Sequence, residues 1–435
     1  MKKVLIFAII SVLCAASVNA MELSLSRAVE MIQNESQDLK KAEYNVSRAR
    51  AGLDAIKANR QPTIGASATY MNMINVERPG QTMGINLSGL GTLPGGIPAF
   101  IEIPDNIGMA GLNITLPIYT FGRIGNAAEA ARHAIAAASS GSEFAGREIR
   151  AAAAQIYWTA KMTDEIVNIA QKNLQLSIRA ETRLKSVSRP NRANLVKISA
   201  DIAAKEIALS DAQFNRDSAH RLLKIMAAID ESAQLILTDE FPNTFAQLTA
   251  PRELEKNPEW DMLEAQIRMH EAQAAVRKAE KNPVLGASAS YNYIMMHTYP
   301  NVWNGIDSQS ANIGIALQIP LWDGREARIN SDIDMLAAKA AQQDLDKSKI
   351  MKRNEYRDAL LNHERLLANM SKFNTARDLA ERTVQMSTDR FFAGQTSAVE
   401  LSDVQTALMQ MEMAVLNAKF NILIAEESIR RLNGK

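Results

Sequence analysis

Residues 60–70 read RQPTIGASATY, and residues 281–291 read KNPVLGASASY. A second related pair follows further along the chain, LPIYTFGR at 116–123 and IPLWDGR at 319–325, the latter one residue shorter. Each copy holds two short runs of strand character between long runs of helix character. A repeat on this scale sets the architecture, because both halves must form the same supersecondary unit. The sequence therefore predicts an internal duplication.

Hydrophobic period and helix breakers give both halves the same order, which is a helix, two strands, a long helix and a further helix. We predict residues 21–230 as the first structural repeat and 251–435 as the second, with a linker or equatorial segment at 231–250. A Gly- and Pro-rich loop is expected at 75–107, and a shorter loop between the strands of the second half. The predicted strands cover 63–74, 108–119, 284–297 and 310–321. The predicted helices cover 24–59, 123–188, 191–229, 251–280, 325–392 and 397–432.

The helices are long enough to form a tall bundle. At about 1.5 Å per residue, the helices at 123–188 and 325–392 each reach about 100 Å. The shorter helices add up in pairs to the same length, which predicts four parallel columns per chain. Apolar residues recur every seven positions in 123–188 and 397–432, as in a coiled coil. Taken alone, the helices favour an ordinary soluble coiled coil.

The strands favour a different environment. In 310–321, Ile313, Ile315 and Leu317 share one face, and Asn312 lies on the other. Runs of about ten residues with strict alternation are typical of strands that cross an outer membrane. A half-buried sheet covered by helices in a soluble α+β fold is the alternative.

Four strands cannot close a barrel in lipid, because the edge N–H and C=O groups would lack partners. Two copies would give a narrow tube filled by side chains, whereas three copies would give 12 strands around a water-filled lumen. The helices lack the long uncharged apolar runs that span bilayers. We therefore expect them to project into water as a second tube.

Residues 1–20 have the pattern of a secretory signal peptide, with a positive start, an apolar run and a small-residue cleavage site. The apolar run at 4–16 is too short for a spanning helix. Cys14, the only cysteine, lies inside this signal, and Leu13 before it argues against a lipoprotein. The mature chain from Met21 is therefore expected to contain no disulfide and no cysteine metal site.

Composition and motifs argue against several classes of protein. Loss of two signal lysines takes Lys+Arg from 49 to 47 against 48 acidic residues, a net charge of −1, so no nucleic-acid partner is expected. The five histidines are scattered without metal-ligand spacing. No phosphate loop, nucleophile elbow or zinc-protease motif occurs. We expect no catalytic residues, no metal and no cofactor, and hence no enzyme.

The order of elements, the strand-to-helix turns and the duplication resemble the TolC-type outer-membrane efflux family over nearly the whole mature chain. The residues that carry this resemblance are Pro62, Pro283, 117–123, 320–325, 390–397 (RFFAGQTS), 155–158 and 257–259.

The resemblance implies a mainly α protein with a transmembrane β portion. Its trimeric 12-stranded β-barrel, four strands per chain, would be continuous with a long α-helical coiled-coil tunnel. It also implies an outer-membrane location in a Gram-negative-type bacterium, with the tunnel in the periplasm. The implied partners are two further copies of the chain, outer-membrane lipid, a periplasmic adaptor (membrane fusion) protein and an inner-membrane pump.

Two interhelical turns would form the periplasmic tip, and the resemblance assigns adaptor docking to them. The second turn holds Gly394, Gln395, Thr396 and Ser397. Gly394 suits the left-handed conformation that ends a helix, and Thr396 or Ser397 can cap the next helix. The first turn holds Pro190 and Arg192, but it departs from the family pattern. A simple helix stop is the alternative for the second turn, and that turn can serve both purposes.

Glu400 and Asp403 follow the second turn, three residues apart on one helix face. In the resembled family, acidic residues here face the lumen and ring the closed aperture. Such rings favour cations. The alternative is a solvated acidic helix face.

Together with these observations, the resemblance implies a passive, gated exit duct for drugs or small toxic molecules, driven by a pump through an adaptor. A duct for type I polypeptide secretion is the alternative within the same class, because the lumen is generic. A periplasmic coiled-coil scaffold without a pore is the alternative from another class, and it predicts a protein soluble without detergent.

Overall fold

The computed structural model describes residues 20–72, 106–186, 192–245, 251, 253–298 and 301–434. Most of these residues are helical, which confirms the mainly α prediction. The elements are β1 Ala20–Leu23, α1 Leu25–Glu35, α2 Gln37–Ala58, β2 Thr63–Asn72, β3 Asn106–Tyr119, α3 Arg123–Lys185, α4 Arg192–Met226, β4 Gln234–Leu237, α5 Pro258–Ala279, β5 Val284–Thr298, β6 Asn301–Gln318, α6 Glu326–Phe392 and α7 Ala398–Asn433. Pro190, nearly all of the predicted signal and most of the 75–107 loop lie outside the described residues.

The described residues fall into two compact units. The helical unit takes the chain up to Val46 together with Ala137–Leu263 and Gln343–Lys435. The sheet unit takes Ser47–Ala136 and Glu264–Gln342, so each unit draws on both predicted repeats. None of the helices in the described part of the chain combines the length and the apolar character that a membrane crossing requires.

The first predicted helix, 24–59, is in fact two helices. Ser36 is extended, at φ −60° and ψ 119°, and ends α1 with its amide bonded to Gln33 O. Its hydroxyl then accepts a hydrogen bond from Leu39 N at 3.3 Å, which caps α2. A serine that caps a new helix interrupts the old one without disturbing the apolar period, so the period alone gave the wrong prediction.

The fourth predicted helix begins later than expected, at Pro258 rather than at residue 251. Asn257 Oδ1 accepts a hydrogen bond from Glu259 N at 2.9 Å, and the buried Asn257 also donates from Nδ2 to Leu432 O. Proline suits the first position of a helix because the missing N–H has no intrahelical partner there. The Asn-Pro pair therefore starts this helix.

The predicted linker 231–250 contains a strand that the sequence prediction missed. β4 pairs in parallel with β1, in the register Ala20↔Gln234 to Leu23↔Leu237. Each strand has only four residues. Runs this short carry too little alternation to be recognised without their partner.

Tyr157 of α3 is hydrogen-bonded to the chain at the ends of β1 and β4. Its side chain is fully buried, and its hydroxyl lies 2.7 Å from Asp239 Oδ2 and 3.0 Å from Leu23 O. Burial, reinforced by the hydrogen bond to Asp239, raises the pKa of Tyr157 well above its usual range. Asp239 Oδ2 also accepts from Leu25 N at 2.7 Å, so one carboxylate ties the start of α1 to α3.

The sheet unit is built on four antiparallel strands in the order β2-β3-β5-β6. The strand predicted at 310–321 begins nine residues earlier, at Asn301, and ends at Gln318. Only residues 299–300 separate it from β5, so the predicted loop between these two strands was wrong. In the described residues, β2 and β6 each pair on one side alone, which leaves two open edges.

The two faces of this sheet differ in chemistry, as the alternation predicts. Residues paired across strands lie on the same face. One row consists of Ile64, Ile114, Ala289 and Ile313. The neighbouring row, on the opposite face, consists of Gly65, Asn113, Ser290 and Asn312. Ile313 is 91% exposed and Ile315 is 74% exposed, so this chain leaves the apolar face uncovered.

The turn from strand to helix uses left-handed backbone in both halves. In the first half φ is 45° at Phe121 and 93° at Gly122, and in the second it is 64° at Gly324 and 70° at Arg325. Asp323 stabilises the second turn, because its carboxylate accepts from the Arg325 amide at 3.0 Å. Each turn holds two successive left-handed residues, but only the glycines, Gly122 and Gly324, occupy the same place in the sequence repeat.

Candidate functional site

The turn between α6 and α7 has the geometry that its sequence indicates. Gly394 is left-handed at φ 73°, and the Gln395 amide donates back to Arg390 O at 2.9 Å. A hydrogen bond that spans five residues across a left-handed glycine is the Schellman motif, which ends many helices. Ser397, not Thr396, caps α7, with its hydroxyl accepting from Glu400 N at 3.3 Å.

The residues around this turn are held by an apolar cluster shared by α3, α4, α6 and α7. Its buried members are Ala180, Ile198, Phe391, Ala398 and Leu401. The Arg183 guanidinium lies 4.1 Å from the centre of the Phe392 ring, a cation–π contact at the edge of the cluster. The Ala398 amide donates to Asn194 Oδ1 at 3.3 Å, which joins the first turns of α7 and α4.

The structure therefore brings part of the predicted tip together. Gly394 to Ser397 form one continuous turn, and Arg192 begins α4, two residues before Asn194. The Thr396 hydroxyl is buried, and within the described residues it makes no hydrogen bond. Pro190 lies outside the described residues.

Glu400 and Asp403 are both exposed on α7, one turn after its cap. Leu401, Gln405 and Leu408 form the buried side of the same helix. The acidic pair thus points away from the packing between the helices, as an acidic lining of an aperture requires.

A polar cluster directly behind this acidic pair was missed by sequence reasoning. It consists of Ser177 of α3, Asp201 and Lys205 of α4, and Ser402 and Gln405 of α7. Ser177, Lys205 and Gln405 are each at least nine-tenths buried. The only local signal was the spacing of Asp201 and Lys205, four residues apart on one helix.

The ammonium group of Lys205 has an acceptor for each of its three protons. These acceptors are Ser177 Oγ at 2.6 Å, Gln405 Oε1 at 2.9 Å and Asp201 Oδ2 at 2.9 Å. Burial lowers the pKa of Lys205, although the contact with Asp201 opposes this shift. The buried charge is therefore both paired and hydrogen-bonded.

Asp201 is satisfied on both oxygens. Ser402 Oγ lies 2.6 Å from Oδ1, and Ser177 Oγ lies 2.7 Å from Oδ2. Burial alone would raise the pKa of Asp201, but the hydrogen bonds from Ser402, Lys205 and Ser177 outweigh it and lower the pKa. These hydrogen bonds therefore favour the ionised form of Asp201.

In the part of the chain that the structure describes, no group of three His, Cys, Asp or Glu side chains is arranged to hold a metal ion.

Comparison with known proteins gives one family. A family model described as outer membrane efflux protein matches residues 28–184 and 250–435, well over half of the chain. No curated protein matches the sequence.

The fold resembles several solved outer-membrane proteins at low sequence identity. The CmeC outer membrane channel of Campylobacter jejuni has a TM-score of 0.77 and 16% identity, with 94% of this chain and 85% of that chain covered. The outer membrane protein VceC of Vibrio cholerae has a TM-score of 0.73 and 17% identity, with 94% and 96% covered. CusC, studied for the conformational changes that accompany folding and transmembrane channel formation, has a TM-score of 0.74 and 17% identity, with 94% and 92% covered.

Proposed function

The chain belongs to the outer membrane efflux protein family, and from this premise we propose that it is the passive, gated exit duct of a tripartite export system. It is an outer-membrane channel of the TolC type with a periplasmic tunnel. The family is one of channels rather than enzymes. The proposal adds the drug or small toxic molecule as cargo, and a periplasmic adaptor and an inner-membrane pump as partners.

The observation that carries this proposal is the uncovered apolar face of the sheet. Ile313, Ile315 and Leu317 are exposed at intervals of two residues along β6, while Asn312 faces the other way. On a water-soluble protein such a face would be an aggregation hazard. In a bilayer it meets hydrocarbon, and the polar face can line water.

The aromatic residues at the ends of the strands fit the same placement. At one end of the sheet, Tyr119 is the last residue of β3 and Trp322 follows β6, and they are 57% and 79% exposed. Tyr70 is 71% exposed near the other end, two residues before β2 ends at Asn72. Aromatic side chains with a polar atom favour the two membrane–water interfaces, and the apolar band between them suits a bilayer.

The two open edges of the sheet argue for a ring of copies. With four strands in alternating directions, β6 of one copy runs antiparallel to β2 of the next. Such head-to-tail contacts close into a ring when the rotation permits. Three copies give a 12-stranded barrel with a water-filled lumen.

Glu400 and Asp403 are the proposed aperture. In a threefold ring each acid occurs three times around the axis, which concentrates negative charge where the tube narrows. Gly394 to Ser397, together with Pro190 and Arg192, are the proposed surface for the adaptor. A type I secretion duct would use the same surfaces. The two functions therefore differ only in what is exported, a small molecule or a polypeptide.

Single-channel recording tests the proposal. Protein extracted from outer membranes with detergent should conduct ions in a planar bilayer and prefer cations. The combined substitution Glu400→Gln and Asp403→Asn should lower the cation preference. The matched control is Asp378→Asn with Glu381→Gln, an exposed acidic pair of the same spacing on α6.

The outcomes separate the alternatives. A protein that is soluble without detergent and does not conduct would support the scaffold. A conducting protein whose ion preference is the same in the aperture variant and in the wild type would exclude the acidic pair from the aperture. Co-purification with an adaptor and a drug pump, rather than with a polypeptide exporter, would favour efflux over type I secretion.

A further inference from the structure

The polar cluster constrains its helices more tightly than a surface ion pair does. Its members are Ser177, Asp201, Lys205, Ser402 and Gln405. Surface ion pairs also join these helices: Lys172 of α3 lies 2.6 Å from Glu412 of α7, with the lysine half exposed. Such a pair tolerates many arrangements, because water can replace either partner. Ser177, Lys205 and Gln405 are each at least nine-tenths buried, so water can replace few of their contacts, and the cluster is satisfied best in the arrangement described above.

The arrangement fixes how α7 is rotated about its own axis. Successive residues of an α-helix are about 100° apart around the axis, so Gln405 lies about 200° from Asp403 and Ser402 about 100° from it. Gln405 is bound by Lys205, and Ser402 is bound by Asp201. With these two side chains held against α4, Asp403 is turned to the opposite, exposed side.

Apolar packing alone would fix this rotation less sharply. The buried neighbours on α7 are Ala398, Leu401 and Leu408, which are small or flexible. Hydrophobic contacts are non-directional, and a helix can turn by a fraction of a residue with little loss of buried area. A rotation of that size would break the 2.6 Å contact of Ser402 with Asp201 and leave a partly buried carboxylate oxygen without this donor.

We propose that the Lys205–Asp201 pair is the positioning group of the aperture: through Ser402 and Gln405 it sets the rotation of α7 and so aims Glu400 and Asp403 into the ion path. This inference rests on the proposed function, because it requires that the acidic pair act on ions. The pair itself never contacts the ions. The pair changes the direction in which Glu400 and Asp403 point. It does not change the charge of the aperture, because Lys205 and Asp201 together carry no net charge.

The test compares reversal potentials of single channels, which do not depend on how much protein is made. The first variant, Ser402→Ala with Gln405→Leu, removes both contacts of α7 and leaves the Lys205–Asp201 pair and its contact with Ser177 intact. The second variant, Lys205→Met with Asp201→Asn, removes both charges together, so that no unpaired charge remains buried. The matched control is Lys172→Met, which breaks an exposed ion pair between α3 and α7.

Both cluster variants should shift the cation-to-anion permeability ratio by at least half of the change produced by Glu400→Gln with Asp403→Asn. Adding a cluster variant to that aperture variant should produce no further shift, because the acids whose direction is lost are already neutral. Lys172→Met should behave as the wild type.

A purely structural cluster would give another result. Thermal stability of the trimer would fall, while the channels that remain would keep the wild-type permeability ratio, and this would overturn the inference. If the cluster variants shift the ratio equally with and without the neutralised acids, the cluster acts by another route and the inference is again wrong. If the wild type does not conduct, or if neutralising the acids has no effect, the proposed function fails first.

Discussion

Tyr157→Phe removes one oxygen from the centre of the helical unit and should loosen the β1–β4 pair. The phenyl ring keeps the shape of a fully buried side chain, so the lost hydrogen bonds are the main change. The hydroxyl lies 2.7 Å from Asp239 Oδ2, and the Asp239 amide donates to it at 3.2 Å. Asp239 keeps the hydrogen bond from Leu25 N at 2.7 Å, so the carboxylate is left partly satisfied.

The expected cost is that of one hydrogen bond to a charged group. Such bonds contribute roughly 1.5–3 kcal/mol, and we take about 2 kcal/mol because one donor to Asp239 remains. At 1.4 kcal/mol per factor of ten, local opening becomes about 30-fold more frequent.

Native-state hydrogen exchange measures this opening. The amide of Thr238, which donates to Leu23 O at 3.1 Å, and the amide of Leu25 should exchange about 30-fold faster in the variant. Amides in α7 near Leu401 should keep their rates, because the apolar cluster there does not involve Tyr157. Tyr44→Phe is the control, since Tyr44 is 72% exposed on α2.

Two results would refute this reasoning. Unchanged exchange at Thr238 and Leu25 would mean that the hydroxyl contributes nothing to the β1–β4 pair. Equal acceleration across all helices would mean that Tyr157 supports global rather than local stability.

Three further predictions concern the sheet, the tip and the polar cluster. Ile313→Lys should reduce the yield of folded outer-membrane protein, because a lysine facing hydrocarbon costs about 2–4 kcal/mol at the bilayer midplane; Asn312→Lys on the other face should not, and equal yields would contradict the assigned faces. Gly394→Ala should lower the free energy of unfolding by roughly 1–2 kcal/mol in denaturant unfolding. The cause would be backbone strain at φ 73° alone, because no atom would contact the new Cβ. Gly52→Ala inside α2 is the control and should be neutral or stabilising. The pKa of Asp201 is lowered in the folded state, so its contribution is present above its unfolded pKa of about 3.9 and is lost as pH falls through the lower folded value; Asp201→Asn should flatten that part of a stability-against-pH curve.

The features that the sequence predicted well are those with local causes. Alternation placed the start of β2, the end of β3 and the start of β5 at the residues where the structure has them. Gly394 and Ser397 were recognised because a left-handed glycine and a capping serine act on their own neighbours. The start of β6 was missed because residues 301–309 mix polar residues with glycine and do not alternate.

The features that the sequence did not predict depend on partners that are distant along the chain. Lys205 meets Ser177 across 28 residues and Gln405 across 200 residues, so neither contact leaves a pattern in any short window. β1 and β4 likewise recognise each other across the length of α3 and α4. The candidate aperture at Glu400 and Asp403 came from the family resemblance, whereas the polar groups behind it are recognised only in the packed helices.

The open edges of the four-stranded sheet have a genetic consequence. Consider a copy whose β2 can no longer pair with a neighbouring chain. Its β6 still pairs with a neighbour, so the copy enters a ring, but the ring then stays open at the defective β2. If rings contain three copies, equal co-expression of intact and defective chains leaves only about one ring in eight free of the defect. Such alleles should therefore be dominant over a functional copy in the same cell.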